Sequence, residues 1–123
     1  MERIFVETRE FTEWFRTYLT DEALARLQGQ LLSNPDLGEV MPGCGGLRKL
    51  RIADPGRQKG KRGGARVIYL NLPEVDRIVL ITVYGKDQKD DLTPADKAQY
   101  RQLVQVLKQQ ARRHTAGDRR GHP

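Results

Sequence analysis

The chain has one cysteine, Cys44, in 123 residues, so no disulfide can close within it. Its two histidines, His114 and His122, both lie in the final ten residues. No histidine therefore stands near Cys44 in sequence, and no Cys/His cluster has zinc spacing. The lone serine, Ser33, follows an apolar helical pattern rather than a nucleophile-like turn. No Gly-Lys-Ser/Thr follows the glycine-rich stretch at 38–46, so that stretch does not resemble a phosphate loop and reads as a connection, with a ligand site as the alternative. No apolar run approaches the roughly 18 residues needed to cross a bilayer. The mixed, acidic start Met1-Glu2-Arg3-Ile4-Phe5-Val6-Glu7 is unlike a secretory signal. These absences leave a cytoplasmic protein without a membrane partner, a cofactor or a metal as the expectation. Asp87, Asp90 and Asp91 could ligate a metal but fit the start of a helix equally well.

What the chain does have is ordinary apolar content, 37%, and abundant charge, 31%. Its length suits one domain with a modest core. The net charge of +6 is unevenly spread. Residues 1–45 carry a net −4, 46–66 a net +7, 67–107 a net −1 and 108–123 a net +4. A segment as basic as 46–66 has a polyanion as its natural partner, although a solvated basic loop satisfies the same composition.

The hydrophobic periodicity predicts an α+β domain in the order β-α-α-β-β-β-α. Arg3-Ile4-Phe5-Val6-Glu7 reads as a short strand with Ile4 and Val6 on one face. Phe11, Trp14, Phe15 and Tyr18 recur at helical spacing. Thr20 caps a second helix, with Ala23, Leu24, Leu27 and Leu31 as its buried stripe and Asn34-Pro35 as its end. The two helices form a hairpin over one face of a small twisted antiparallel sheet. Leu47 to Ile52, Ala65 to Leu72 and Arg77 to Tyr84 are three strands of a meander. Thr93-Pro94-Ala95-Asp96 starts the last helix, which buries Tyr100, Leu103, Val104 and Leu107 and ends near Arg112. Residues 1–113 then form the domain, and 114–123 a disordered basic tail.

The remaining chemistry is cationic. Lys49 and Arg51 share one face of the second strand, opposite Leu50 and Ile52. In a meander, the start of the third strand lies beside the ends of the second and fourth. Arg66 and Lys86 should therefore meet at one end of the sheet, with Arg51 close by. Packed like charges repel unless an anion joins them, so the cluster points to a phosphate. Exposed sheet cations that merely discourage edge pairing remain the alternative.

Gly45-Gly46-Leu47-Arg48-Lys49-Leu50-Arg51, Gly63-Gly64-Ala65-Arg66-Val67-Ile68-Tyr69, Ile81-Thr82-Val83-Tyr84-Gly85-Lys86 and Asp91-Leu92-Thr93-Pro94-Ala95 together resemble the RelE/ParE toxin superfamily. The likeness is greatest to its HigB-like members and runs in order over residues 1–110. The resemblance implies a toxin of a type II toxin–antitoxin system. Such a toxin cuts messenger RNA in the ribosomal A site by attack of the ribose 2′-OH on the adjacent phosphate, without a metal. It implies an antitoxin partner, expected to be a small helix-turn-helix protein, and puts the active-site cations at Lys49, Arg51, Arg66 and Lys86. Arg48, Lys59, Lys61 and Arg62 are assigned to RNA-backbone contact from charge alone. On this reading Arg66 grips the scissile phosphate, Arg51 and Lys86 flank it, and Lys49 is the candidate base. Lys49 can serve as base only if crowding by other cations lowers its pKa. The family's RNA cutters often carry a tyrosine or histidine near the last helix, and Asp90-Asp91-Leu92-Thr93-Pro94 has neither. Tyr69 and Tyr84, the only aromatics expected near the cations, read as sheet packing, so little base reading is expected. A gyrase-poisoning toxin of the ParE type, or a nucleic-acid-binding module without activity, would share the fold.

Overall fold

Each of the three α-helices among the described residues opens on a threonine. In the computed structural model, which describes residues 3–53, 64–85 and 92–121 with side chains to 115, α1 (Arg9–Tyr18) begins after Thr8. The Thr8 hydroxyl accepts from the Phe11 N–H at 3.1 Å. Thr20 does the same for α2 (Asp21–Ser33), accepting from Ala23 at 3.0 Å. Before α3 (Pro94–Gly121) the exchange is reciprocal: Thr93 Oγ1 accepts from the Asp96 N–H and Asp96 Oδ2 from the Thr93 N–H, both at 3.1 Å. Each bond satisfies a backbone donor that a helix end leaves without an intrahelical partner.

The strands β1 (Ile4–Glu7), β2 (Glu39–Val40), β3 (Arg48–Ile52), β4 (Ala65–Leu72) and β5 (Arg77–Gly85) form one sheet in the order β1-β5-β4-β3-β2. The expected α+β order and the β3-β4-β5 meander are present. One element is added: Glu39–Val40, inside the expected loop, pairs antiparallel with Lys49 and Arg48. β1 pairs parallel with β5 from Ile4↔Arg77 to Glu7↔Leu80. Its inward residue is Phe5, whereas Ile4 and Val6 are exposed.

The sheet separates two cores. Phe11, Phe15, Tyr18, Leu27 and Leu31 of α1 and α2 pack on the face that carries Ile52, Val67, Tyr69, Ile78 and Leu80. Val104 and Ala111 of α3, with Met41, Cys44 and Leu47, pack on the face that carries Ile68, Leu70, Leu72, Val79 and Ile81. A bulge in β5 changes which residues point where. Ile68 faces Thr82 while Tyr69 faces Leu80, so Ile81 is an extra residue. The alternation slips there by one. Leu80 belongs to the α1/α2 core and Tyr84 to the α3 core, although both are even-numbered.

α3 continues to Gly121, where the sequence suggested an end near Arg112 and a separate tail from 114. Among the side chains described, Ala111 is the last buried one. Adding residues to an existing helix costs little compared with starting one, so a helix can extend past the stop read from the sequence.

A knot of polar groups joins the end of α2 to the sheet. The Tyr69 hydroxyl donates to the Pro35 carbonyl at 2.7 Å and accepts from the Gly38 N–H at 2.9 Å. A Cβ on Gly38 would lie 2.9 Å from Tyr69 Cε1 and 3.0 Å from the Lys49 carbonyl oxygen. Burial pushes the Tyr69 phenol up from its ordinary range, and Asp36 adds to the shift, while the Gly38 bond and Arg48 oppose it. A raised pKa means that the fold favours the neutral phenol. The resulting stabilisation is full below about pH 10 and is lost as pH rises through the raised value. Two outcomes follow in urea unfolding at neutral pH. Tyr69→Phe should cost about 1–3 kcal/mol, because it leaves a buried N–H without its partner. Gly38→Ala should cost about as much, through overpacking. Melting temperatures above pH 10 should fall less steeply in Tyr69→Phe than in the parent. An equally steep fall would show that Tyr69 does not titrate with unfolding.

Candidate nucleic-acid interface

The register of the meander brings three of the four expected catalytic cations onto one face. Arg51 pairs with Arg66, Arg66 pairs with Tyr84, and Lys49 pairs with Ile68. Directly paired residues point to the same side of a sheet. Lys49, Arg51, Arg66 and Tyr84 therefore share the face that α3 covers, and α3 itself packs toward the far end of β4 and the turn Pro73–Val75. Lys86 lies outside the described residues, as do Lys59, Lys61 and Arg62 and the aspartates at 87, 90 and 91. The last described residue before Lys86 is Gly85, which pairs with Ala65 beside Arg66.

The three cations differ sharply in exposure. Arg51 is exposed and Lys49 half-buried, but Arg66 is only 4% exposed. Arg66, expected to grip the scissile phosphate, is thus a buried residue. It sits on β4, the middle strand of the meander, with β3 and β5 on either side, and one guanidinium nitrogen donates to its own Ala65 carbonyl at 3.4 Å. An arginine with so little contact with water must be held by fixed partners.

Arg48, assigned to RNA-backbone contact from charge, has partners within the chain. Alternation places it on the opposite face, with Tyr69. Its guanidinium donates to the Gly38 carbonyl at 2.8 Å and the Asp36 carbonyl at 3.1 Å, and lies 3.5 Å from the Asp36 carboxylate. It binds the chain's own turn after α2. The added strand β2 brings a group that sequence reasoning placed in a loop: Glu39 stands directly across from Lys49 on the cationic face. β2 pairs only with Arg48 and Lys49, which leaves the edge of β3 from Leu50 onward without a strand neighbour among the described residues. There Arg51 lines a cleft of about 350 Å³ with Arg26, Leu27, Leu37 and Leu50.

A second cleft, of about 200 Å³, opens where β1 ends. β1 accompanies β5 as far as Leu80, and Thr8 extends the contact by a hydrogen bond from its hydroxyl to the Ile81 carbonyl at 2.6 Å. Beyond it, Thr82 and Tyr84 face a space between α1 and α3. Glu10, Trp14 and Tyr18 enter from α1 as a row at spacing four, and Asp96, Gln99 and Tyr100 enter from the first turns of α3. Tyr100 donates to Glu10 Oε2 at 2.7 Å and is hydrogen-bonded to Thr82. Burial pushes its phenol well above the ordinary range, and the Glu10 contact adds to the shift, so Tyr100 stays protonated. Tyr69 is sheet packing, as expected, but the aromatics near the cations number more than Tyr69 and Tyr84. Trp14, one of the four aromatics at helical spacing, is 49% exposed. The available signal was the Glu10-Trp14-Tyr18 row, distinct from the Phe11-Phe15 row that enters the core.

Comparison with known proteins agrees with this architecture. The structure of E. coli toxin RelE in the free state, a double arginine-to-alanine mutant, is similar in fold, with a TM-score of 0.52 and 16% identity. The match covers 73% of this chain and 90% of that one. The family model described as the RelE toxin of the RelE/RelB toxin–antitoxin system matches residues 2–116. The chain belongs to the RelE toxin family.

Proposed function

We propose that this protein is a ribosome-dependent endoribonuclease, the toxin of a type II toxin–antitoxin pair, which halts translation by cutting messenger RNA in the ribosomal A site. The observation that carries the reading is the side-by-side placement of Lys49, Arg51 and Arg66 on one face of adjacent strands. Cations fixed on a sheet need no rearrangement to stabilise charge that builds on a phosphate. Attack by the 2′-OH forms a bond from that oxygen to phosphorus and expels the 5′-oxygen of the next nucleotide. One proton must leave the nucleophile and one must reach the leaving group. Arg51 and Lys49 are the cations that the RNA backbone meets, and Arg66 supplies fixed positive charge beneath them. Lys49 and Glu39, facing each other across β2 and β3, are the pair positioned for the proton transfer. Lys86, next in sequence after Gly85, completes the set. The ribosome contributes by ordering the substrate strand, which is how a site without histidine can suffice. The partner is an antitoxin, a small helix-turn-helix protein that neutralises the toxin by covering the cationic face. The HigB-like character of the sequence belongs to the same reading.

In vitro translation followed by primer extension tests this directly. The wild-type protein should produce cuts inside codons only when ribosomes are present; cuts in naked RNA, or none, would remove the assignment. Arg51→Ala should change stability by less than about 0.5 kcal/mol, because the side chain is exposed. It should nevertheless reduce cleavage about 100-fold, the usual effect of losing one preorganised charge donor. Undiminished cleavage would take Arg51 out of the site. Arg66→Ala should lose stability as well as activity, since it removes a buried charged side chain from the middle of the meander. Arg66→Lys should remain impaired, because an ammonium cannot reproduce a planar fork. Glu39→Gln and Lys49→Ala should each slow cleavage at saturating ribosomes; an unchanged rate in both would place the proton transfer elsewhere.

The basic segment gives a separate expectation. Neutralising Lys59, Lys61 and Arg62 together should weaken ribosome or RNA binding without moving the cut. The slope of log K against log salt should fall by about 2, at roughly 0.7 per lost contact with single-stranded RNA. An unchanged slope would show that these three residues make no phosphate contact.

A further inference from the structure

The cleft between α1, α3 and the end of β5 takes no part in the cation chemistry, and its lining is of a different kind. Trp14, Tyr18, Tyr84 and Tyr100 supply aromatic surface, while Glu10, Asp96, Gln99 and Thr82 supply polar atoms. Among the described residues none that lines it is a cation, although the next strand carries Arg66 as the register partner of Tyr84. Lys49 and Arg51 stand on β3, two strand spacings or about 10 Å from β5, so the exposed cations and the cleft are within reach of neighbouring nucleotides on one RNA strand.

We propose that this cleft is a nucleobase subsite that holds a guanine of the RNA strand whose phosphates lie on the cationic face. The inference rests on the RNA-cutting reading for its natural substrate. Three features support it. Aromatic side chains beside a backbone-binding surface are how proteins hold unstacked bases, and Trp14, half in solvent, offers an indole that a base can cover. The carboxylates of Glu10 and Asp96 repel phosphate, so the cleft accepts a base and leaves the backbone to Lys49 and Arg51. The same carboxylates select among bases by hydrogen-bonding sense, because an ionised carboxylate only accepts. Guanine presents two adjacent N–H donors on one edge. Adenine and cytosine set an acceptor beside their amino group, and uracil sets its single N–H between two acceptors. Tyr100 acts as a positioning residue: its hydrogen bond at 2.7 Å to Glu10 Oε2 holds that carboxylate against the cleft wall.

Trp14 is the only tryptophan in the chain, so its fluorescence reports on this cleft alone. The full-length protein is titrated with guanosine 3′-monophosphate, uridine 3′-monophosphate and ribose 5-phosphate. The guanosine nucleotide should quench emission saturably, the uridine nucleotide should bind about tenfold more weakly, and ribose phosphate should leave emission unchanged. Glu10→Gln keeps the size of the side chain and an oxygen for Tyr100, so its melting temperature should match the parent. Its affinity for the guanosine nucleotide should fall about tenfold. Equal response to the guanosine and uridine nucleotides, or quenching by ribose phosphate, would overturn the assignment of guanine. No quenching at all would overturn the subsite. In the translation assay, cuts should fall beside guanosines, and Glu10→Gln should lose that preference. An identical cut map in Glu10→Gln would overturn the inference while leaving RNA cutting intact. A wild-type protein that cuts nothing, yet binds the guanosine nucleotide in a Glu10-dependent way, would overturn the RNA-cutting reading and leave the nucleotide site standing.

Discussion

One extra residue in β5 decides which of its side chains lie beside the cations. Strict alternation from Leu80 would send Thr82 and Tyr84 into the core under α1 and α2. The bulge at Ile81 turns them to the other face, where Tyr84 lies across from Arg66. A bulge also increases local twist and ends regular pairing early. β1 runs alongside β5 only to Leu80, immediately before it. The open edge beyond is what allows α1 and α3 to approach each other and enclose a cleft. The aromatic cleft and the placement of Tyr84 across from Arg66 thus share one backbone irregularity.

Burial sorts the cations into different tasks. Arg48 has turned inward to bind the carbonyls of residues 36 and 38, and with Tyr69 it ties the end of α2 to the sheet. Arg66 is nearly sealed from water, and removing a buried charge from its partners is costly. Its charge is therefore fixed in place before any substrate arrives. Arg51, exposed at an edge that the two-residue β2 does not reach, can meet a partner directly. One run of basic residues in the sequence thus becomes a structural tie and an exposed contact, next to a buried charge from the following strand.

Much of the fold was legible in the sequence because its signals are local. Thr20 and Thr93 before the second and third helices, the Pro94 and Asp96 that follow Thr93, and the helical spacing of the apolar residues in α1 and α2 act within a turn or two of chain, and the structure uses them as read. The meander was legible for a related reason: short connections leave antiparallel neighbours as the simple solution, and that alone placed Arg51 beside Arg66. Trp14 shows the limit. Four aromatic residues at helical spacing read as one stripe, but a helix resting on a sheet buries a narrower arc. The surplus aromatic faces the cleft.

The sequence by itself determined the class of the domain, the starts of its helices, the strands of the meander and the cationic character of one face, because each follows from spacing and charge along the chain. Only the tertiary structure decided that Glu39 would stand opposite Lys49, that Arg66 would be buried, that Arg48 would serve the fold, and that Glu10, Tyr84 and Tyr100 would line a single space. Those outcomes join residues up to 90 positions apart, as Glu10 and Tyr100 are, and hinge on a one-residue slip in pairing. A period of two cannot reveal such a slip, since any register keeps the alternation and only packing against both helical layers selects one.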